Sequence, residues 1–123
     1  MAKIVVIDDE IHVQRLIKII LDQQGHQVIT ASSGEEGVAL IDAEAEAPDL
    51  ILLDLMMPGV GGLQVLRTLK ENPKTATVPV VLLTAVAQEN VVLQGIKLGA
   101  KDYVRKPFHP QELAKRVGKQ LGS

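Results

Sequence analysis

Leu50-Ile51-Leu52-Leu53-Asp54-Leu55-Met56-Met57-Pro58 sets a single carboxylate in the middle of apolar sequence. Four aliphatic residues in a row, with no polar residue alternating among them, suit a strand buried on both faces of a parallel sheet. A carboxylate at the end of such a run is costly unless something pairs with it. Asp54 is therefore the residue that most needs a physical reason.

Working outward from it, strand candidates fall at residues 4–7, 27–31, 50–53, 80–83 and 103–104, and three of them are apolar throughout. Helical spacing fills the intervals. Val13, Leu16, Ile17, Ile20 and Leu21 make an apolar stripe, with Gly25 as a stop. Ser33-Gly34-Glu35-Glu36 has the form of a capping box, opening a helix to about Ala45. Leu63, Leu66 and Leu69 mark a third helix ended by Asn72-Pro73. A fourth runs from about Gln88 to Leu98, with Gly99 at its C-terminal cap. The fifth starts at His109-Pro110 and turns Leu113, Val117 and Leu121 inward. This (βα)5 alternation predicts an α/β fold: a doubly wound, five-stranded parallel sheet with right-handed crossovers, in the flavodoxin-like order 2-1-3-4-5.

At 123 residues, the chain reads as one domain over 1–123 with no appended output domain. Hydrophobic residues make up 46% and charged residues 23%, an ordinary globular balance. A net charge of -2, with basic residues dispersed, gives no electrostatic grip on nucleic acid or an anionic membrane. The absence of cysteine excludes a disulfide framework, a thiolate metal site and a cysteine nucleophile. No run approaches the roughly 18 apolar residues of a membrane span, and the N-terminus lacks a signal-peptide pattern, so a cytoplasmic location is expected. One Phe, one Tyr and no Trp leave no aromatic platform for base stacking.

Ligands of open α/β sheets bind beyond the carboxyl ends of the strands, where the strand order reverses. The candidate strands end at Asp8-Asp9-Glu10, Asp54, Thr84 and Lys106. In the order 2-1-3-4-5, Asp8, Asp9 and Asp54 converge on one crevice, with Thr84 and Lys106 along the same edge. Plainer roles exist for each: Asp9 could cap the helix beginning near Ile11, Thr84 could be a simple strand end, and Lys106 a solvated charge. Three carboxylates a few ångströms apart repel, and a divalent cation with oxygen ligands relieves that conflict; Mg²⁺ fits the donor set. A carboxylate beside Mg²⁺ can attack phosphorus, and Lys106 with the Thr84 hydroxyl can stabilise the phosphoryl oxygens.

The chain resembles a response-regulator receiver domain over essentially its whole length. The pieces that carry the resemblance are Val5-Val6-Ile7-Asp8-Asp9-Glu10, Leu52-Leu53-Asp54-Leu55-Met56-Met57-Pro58-Gly59, Leu82-Leu83-Thr84-Ala85 and Asp102-Tyr103-Val104-Arg105-Lys106-Pro107-Phe108. The resemblance implies that Asp54 accepts a phosphoryl group from a histidine kinase or a histidine phosphotransfer protein. Asp9 and Asp54 would bind Mg²⁺ (or Mn²⁺) with the Met56 backbone carbonyl, and Asp8 would act directly or through water. Lys106 and Thr84 would hold the phosphoryl group, Lys106-Pro107 would be cis, and Tyr103 would be an aromatic switch. Helix 4, strand 5 and helix 5 would form the face read by a downstream partner, with a monomer that could dimerise there when phosphorylated. The resemblance also implies that residues two beyond the acceptor and two beyond the Thr tune phosphoryl lifetime. Here these are Met56 and Val86, both apolar, which implies slow hydrolysis.

One departure is Gly61, where the family commonly has Asp as a cap for the third helix; glycine caps nearly as well. The glycines of Pro58-Gly59-Val60-Gly61-Gly62 are not followed by Gly-Lys-Ser/Thr, so they read as a turn and not as a phosphate loop. Rival functions on such a fold are weaker. A phosphatase with an aspartyl nucleophile usually carries Asp-x-Asp after strand one, where this chain has adjacent Asp8-Asp9, so no turnover of general phosphate esters is expected. A flavin or nucleotide binder needs a Gly/Ser/Thr-rich loop at the same place. A receiver-like scaffold usually lacks one of the key residues, all of which are present here. His12, His26 and His109 lack metal spacing and read as surface or cap residues.

Overall fold

The computed structural model describes residues 1–59, 61–85 and 89–122. Five parallel strands, β1 (Lys3–Ile7), β2 (Gln27–Ala31), β3 (Leu50–Asp54), β4 (Val80–Ala85) and β5 (Asp102–Lys106), form one sheet in the order β2-β1-β3-β4-β5. The connections are α1 (Ile11–Gln23), α2 (Gly34–Ala43), α3 (Gly62–Glu71) and α4 (Glu89–Lys97), and α5 (Pro110–Gln120) closes the chain. The expected doubly wound (βα)5 architecture and strand order are the ones observed.

Alternation along the three central strands divides the core into two layers. Ile4, Val6, Leu50, Leu52, Val81 and Leu83 pack with Ile17 and Leu21 of α1 and with Leu113 and Val117 of α5. Val5, Ile7, Ile51, Leu53, Val80 and Leu82 pack on the other side with Ile41 of α2, Val65, Leu66 and Leu69 of α3, and Val92 of α4. Both faces are covered, which is why these strands need no polar alternation. β5, on the sheet edge, buries only Val104, so its apolar signal is short although its pairing with β4 runs from Asp102 to Lys106.

Several local details differ from the sequence-based expectation. The inner face of α1 is Gln14, Ile17, Ile20 and Leu21, while Leu16, expected on the stripe, is 41% exposed. Residue 14 stands three before Ile17 and seven before Leu21, so it lies on their line and is carried inward despite its amide. α2 stops at Ala43, and Lys74 from the α3–β4 loop donates to the carbonyls of Ile41 (2.8 Å) and Glu44, supplying the cation that the helix end lacks. The capping box is present, with Glu36 N–H donating to Ser33 Oγ at 3.1 Å, but the Glu36 carboxylate reaches back to the amide of Ser32 and not to that of Ser33. His26 is half-buried, and its Nδ1 accepts from the Ala2 amide at 3.2 Å. The expected α4 start at Gln88 lies outside the described residues, as does Val86.

Candidate functional site

β1 and β3 are neighbours with Ile7 opposite Leu53, so Asp8 and Asp54 follow side by side at the carboxyl edge of the sheet. Alternation carries both toward the α1/α5 layer, and Lys106, two residues beyond Val104, follows them. The two aspartates are fixed in the same way: Asp8 Oδ1 accepts the Glu10 amide at 2.9 Å, and Asp54 Oδ1 accepts the Met56 amide at 3.2 Å. Each is a short turn in which a carboxylate bonds the backbone two residues ahead. Asp8 is fully buried and Asp54 nearly so, at 0% and 4% exposure.

Asp9 is exposed, and its carboxylate joins those of Asp8 and Asp54 in a cluster whose ligand atoms all lie within 4.8 Å of one another. The residue at the α1 N-cap is Glu10, with no side-chain cap bond, so the capping role considered for Asp9 is not the one it has. Lys106 Nζ enters from β5, 2.7 Å from Asp8 Oδ2, 3.1 Å from Glu10 Oε1 and 3.5 Å from Asp54 Oδ2. The peptide bond that follows it, Lys106-Pro107, is cis, as expected.

Burial dominates the electrostatics. Desolvation first, and the Asp8 charge second, push Asp54 from 3.8 up to about 6, against the opposing pull of Lys106. Asp8 is also raised by desolvation, with Lys106 and the Glu10 amide pulling it down. Lys106 is raised despite its own desolvation, because Asp8, Asp54 and Glu10 favour the ammonium. Asp54 thus remains mostly ionised at neutral pH, as a nucleophile must. Among the described residues, Asp8 Oδ2 has no aligned hydrogen bond and makes an ion pair with Lys106. A buried carboxylate oxygen in that condition, beside two further carboxylates, has spare capacity for a hard cation, and the all-oxygen donor set fits Mg²⁺.

Thr84 and Tyr103 stand apart from this cluster. Thr84 is buried on the alternation that faces α3 and α4, and its hydroxyl donates to Ala85 O at 3.2 Å. No contact joins that hydroxyl to the acidic cluster among the described residues. It lines instead, with Tyr103, Arg105 and residues of α4, a groove of about 270 Å³ between α4 and β5. Tyr103 is 38% exposed there, beside Leu93 and Ile96, which are 59% and 41% exposed.

Two residues with evident work in the site receive no role from the sequence. Gln14 is buried, and its amide donates to Asp8 O at 2.6 Å, to Ser32 Oγ at 3.0 Å and to Ala31 O at 3.3 Å, tying the ends of β1 and β2 together. Its position on the line of Ile17 and Leu21 was the available signal. Glu10 meets Lys106 across 96 positions of sequence, for which no local pattern exists.

The response regulator receiver domain model matches residues 4–118, and the chain belongs to that family. It is a receiver domain of two-component response regulators, with the buried acidic cluster described above. Among curated proteins it is 37% identical to the protein PilH of Pseudomonas aeruginosa over 121 residues, covering 98% of both chains. It is 44% identical to the alkaline phosphatase synthesis transcriptional regulatory protein PhoP of Bacillus subtilis over 115 residues, covering 94% of this chain and 46% of that one. The chain spans about half the length of several curated relatives of this second kind. Among solved structures, the chemotaxis protein CheY4 of Vibrio cholerae superposes with a TM-score of 0.90 at 27% identity, over 97% of this chain and 98% of that one. No helix among the described residues is long and apolar enough to cross a membrane.

Proposed function

We propose that the chain is a phosphoacceptor switch in a two-component relay, with Asp54 receiving a phosphoryl group from a phosphohistidine on a histidine kinase or histidine phosphotransfer protein. The observation that carries this is the position of Asp54: a buried, largely ionised carboxylate 3.5 Å from a lysine ammonium and adjoining two further aspartates. An Asp54 carboxylate oxygen attacks phosphorus, the P–N bond to the imidazole breaks, and the neutral imidazole leaves after protonation, giving an acyl phosphate. Asp8, Asp9, Asp54 and the Met56 carbonyl would hold Mg²⁺ (or Mn²⁺), which supplies charge neutralisation for the phosphoryl oxygens. Lys106 balances a further oxygen, and the Thr84 hydroxyl takes another after leaving Ala85 O. That movement vacates space in the α4–β5 groove beside Tyr103, so the ring shifts inward and the α4-β5-α5 face changes population without a change of fold. A downstream protein, or a second copy of the chain, reads that face; direct nucleic-acid or membrane binding is not part of the reading. The chain acts on itself and turns over no other phosphate ester, apart from slow loss of its own phosphoryl group.

The test is incubation with phosphoramidate and Mg²⁺, followed by intact mass. The expected result is a single phosphoryl adduct that Asp54→Asn abolishes. Absence of an adduct on wild-type protein shown separately to bind Mg²⁺ would refute the proposal.

A further inference from the structure

Lys106 is shared among three carboxylates, and the one that has no place in the proposed chemistry is Glu10. Its Oε1 lies 3.1 Å from Nζ in an aligned hydrogen bond, whereas Asp54 Oδ2 is 3.5 Å away. Glu10 occupies the N-cap of α1, yet its side chain makes no cap bond. Among the described residues, Lys106 is the only cation it meets. Its backbone amide holds Asp8 Oδ1 at 2.9 Å, so the same residue fixes both members of the Asp8–Lys106 pair. An ammonium has three N–H donors. Glu10 engages one of them at 3.1 Å, and the Asp8 ion pair at 2.7 Å holds the same ammonium on the β1–α1 side of the crevice.

We propose that Glu10 is a positioning residue for Lys106: its carboxylate draws the ammonium toward the β1–α1 loop and away from Asp54, and so restrains phosphorylation. The proposal rests on the phosphoacceptor reading above. For the ammonium to serve a phosphoryl group on Asp54 it must move toward that side chain, and the Glu10 contact opposes the move. Glu10 is exposed and Lys106 is not, with side-chain exposures of 60% and 14%. The contact is therefore a weak, solvent-facing restraint and not a structural tie, and removing it leaves the core untouched.

Glu10→Gln and Glu10→Asp test this, with Glu46→Gln at the far end of the sheet as a control for net charge. The aspartate keeps the charge but withdraws the carboxylate by about one bond, roughly 1.5 Å, which breaks the contact. Two quantities are read: the initial rate of Asp54 phosphorylation by phosphoramidate with Mg²⁺, and the Lys106 ammonium signal in ¹⁵N-lysine-labelled, metal-free protein. Both Glu10 variants are expected to raise the rate by about threefold, the scale of one exposed ion pair, and to shift the Lys106 signal, while Glu46→Gln does neither. An increase in Glu10→Gln but not in Glu10→Asp would assign the effect to through-space repulsion of the donor and overturn the contact. An unchanged rate in both, with melting temperatures preserved, would overturn the restraint. If wild-type protein takes up no phosphoryl group, the phosphoacceptor reading fails, and the Lys106 signal alone then decides whether Glu10 positions the ammonium.

Discussion

Asp8 Oδ2 and Lys106 Nζ stand 2.7 Å apart at the carboxyl edge of the sheet, one fully buried and the other 14% exposed. This pair carries much of the charge balance at the site, since Asp8 Oδ2 has no aligned hydrogen bond among the described residues. It does not balance the whole site. Asp54 lies 3.5 Å from the same ammonium, and its desolvation by burial, with the Asp8 charge second, outweighs that attraction.

That burial gives the folded protein a definite pH response. Asp54 titrates at about 6 in the folded state and at an ordinary value near 3.8 in the unfolded chain, and Asp8 is shifted in the same direction. Between those two pH values the folded protein keeps a proton that the unfolded chain has lost. The associated stability is therefore present at low pH and lost as pH rises through 6. The melting temperature of metal-free Asp54→Asn is expected to match that of wild type near pH 4 and to exceed it at pH 7.5, by about 2 to 3 kcal/mol in stability. Added Mg²⁺ is expected to narrow the gap at pH 7.5 by stabilising wild type more than the variant. A difference that does not change with pH would show that the burial of Asp54 carries no charge penalty.

Gln14 is expected to matter to the site although it touches no carboxylate oxygen. Its amide is the side-chain donor that holds the Asp8 carbonyl, at 2.6 Å. Gln14→Leu keeps the volume roughly constant but leaves that buried carbonyl without this donor, a cost of about 1 to 3 kcal/mol. It also loosens the Asp8 backbone, which keeps only its amide bond to Ala31 O at 3.0 Å among the described residues, so Mg²⁺ affinity measured by calorimetry is expected to fall together with the urea midpoint. A loss of stability with unchanged Mg²⁺ affinity would confine Gln14 to the fold.

The contrast between Gln14 and Leu16 shows where the sequence was legible and where it was not. Strand positions were readable because both sheet faces are covered, so aliphatic runs such as residues 50–53 have one compatible environment. Asp54, Asp8, Asp9 and Lys106 were readable because strand ends in this topology share one edge. The inner face of α1 departs from its apolar stripe because packing rewards position on the helix and a fully bonded amide over residue type, which buries Gln14 and exposes Leu16. Thr84 was placed at the right edge, but side-chain direction depends on alternation parity, which put its hydroxyl toward α4 and Ala85 O. The Glu10–Lys106 contact had no local signature, because it forms only when β1 and β5 are brought to one end of the sheet.

Adjacent glycines at the start of α3 are expected to respond in opposite ways. A Cβ on Gly62 would lie 2.4 Å from Asp54 O and 2.5 Å from Leu55 Cα, both backbone atoms of the segment carrying the phosphoacceptor. Gly62→Ala must displace that segment and is expected to cost about 3 kcal/mol or more in stability. A Cβ on Gly61 meets nothing within 4 Å among the described residues, and its φ of -72° is open to any residue, so a side chain is tolerated there. Gly61→Asp supplies a capping carboxylate at a helix N-terminus and is expected to stabilise by a few tenths of a kcal/mol. Thermal melts of the two variants side by side check both, and a destabilised Gly61→Asp would mean that the loop needs glycine for a reason other than capping.

The lifetime of the phosphoryl group should respond to Met56. The Met56 amide is fixed to Asp54 Oδ1 at 3.2 Å, and the residue is 55% exposed. A thioether is a weak acceptor and no donor, so it cannot orient a water for attack on phosphorus. An asparagine at the same position presents both a carbonyl and an NH₂ group to such a water. Met56→Asn is expected to speed loss of the phosphoryl group by about three- to tenfold, the range that one positioned hydrogen bond of roughly 1 kcal/mol can supply. The measurement is the decay of the phosphorylated mass after the donor is removed, in Mg²⁺ and at fixed pH. A decay rate equal to that of wild type, with Mg²⁺ affinity preserved, would show that the side chain at Met56 does not govern water access to Asp54.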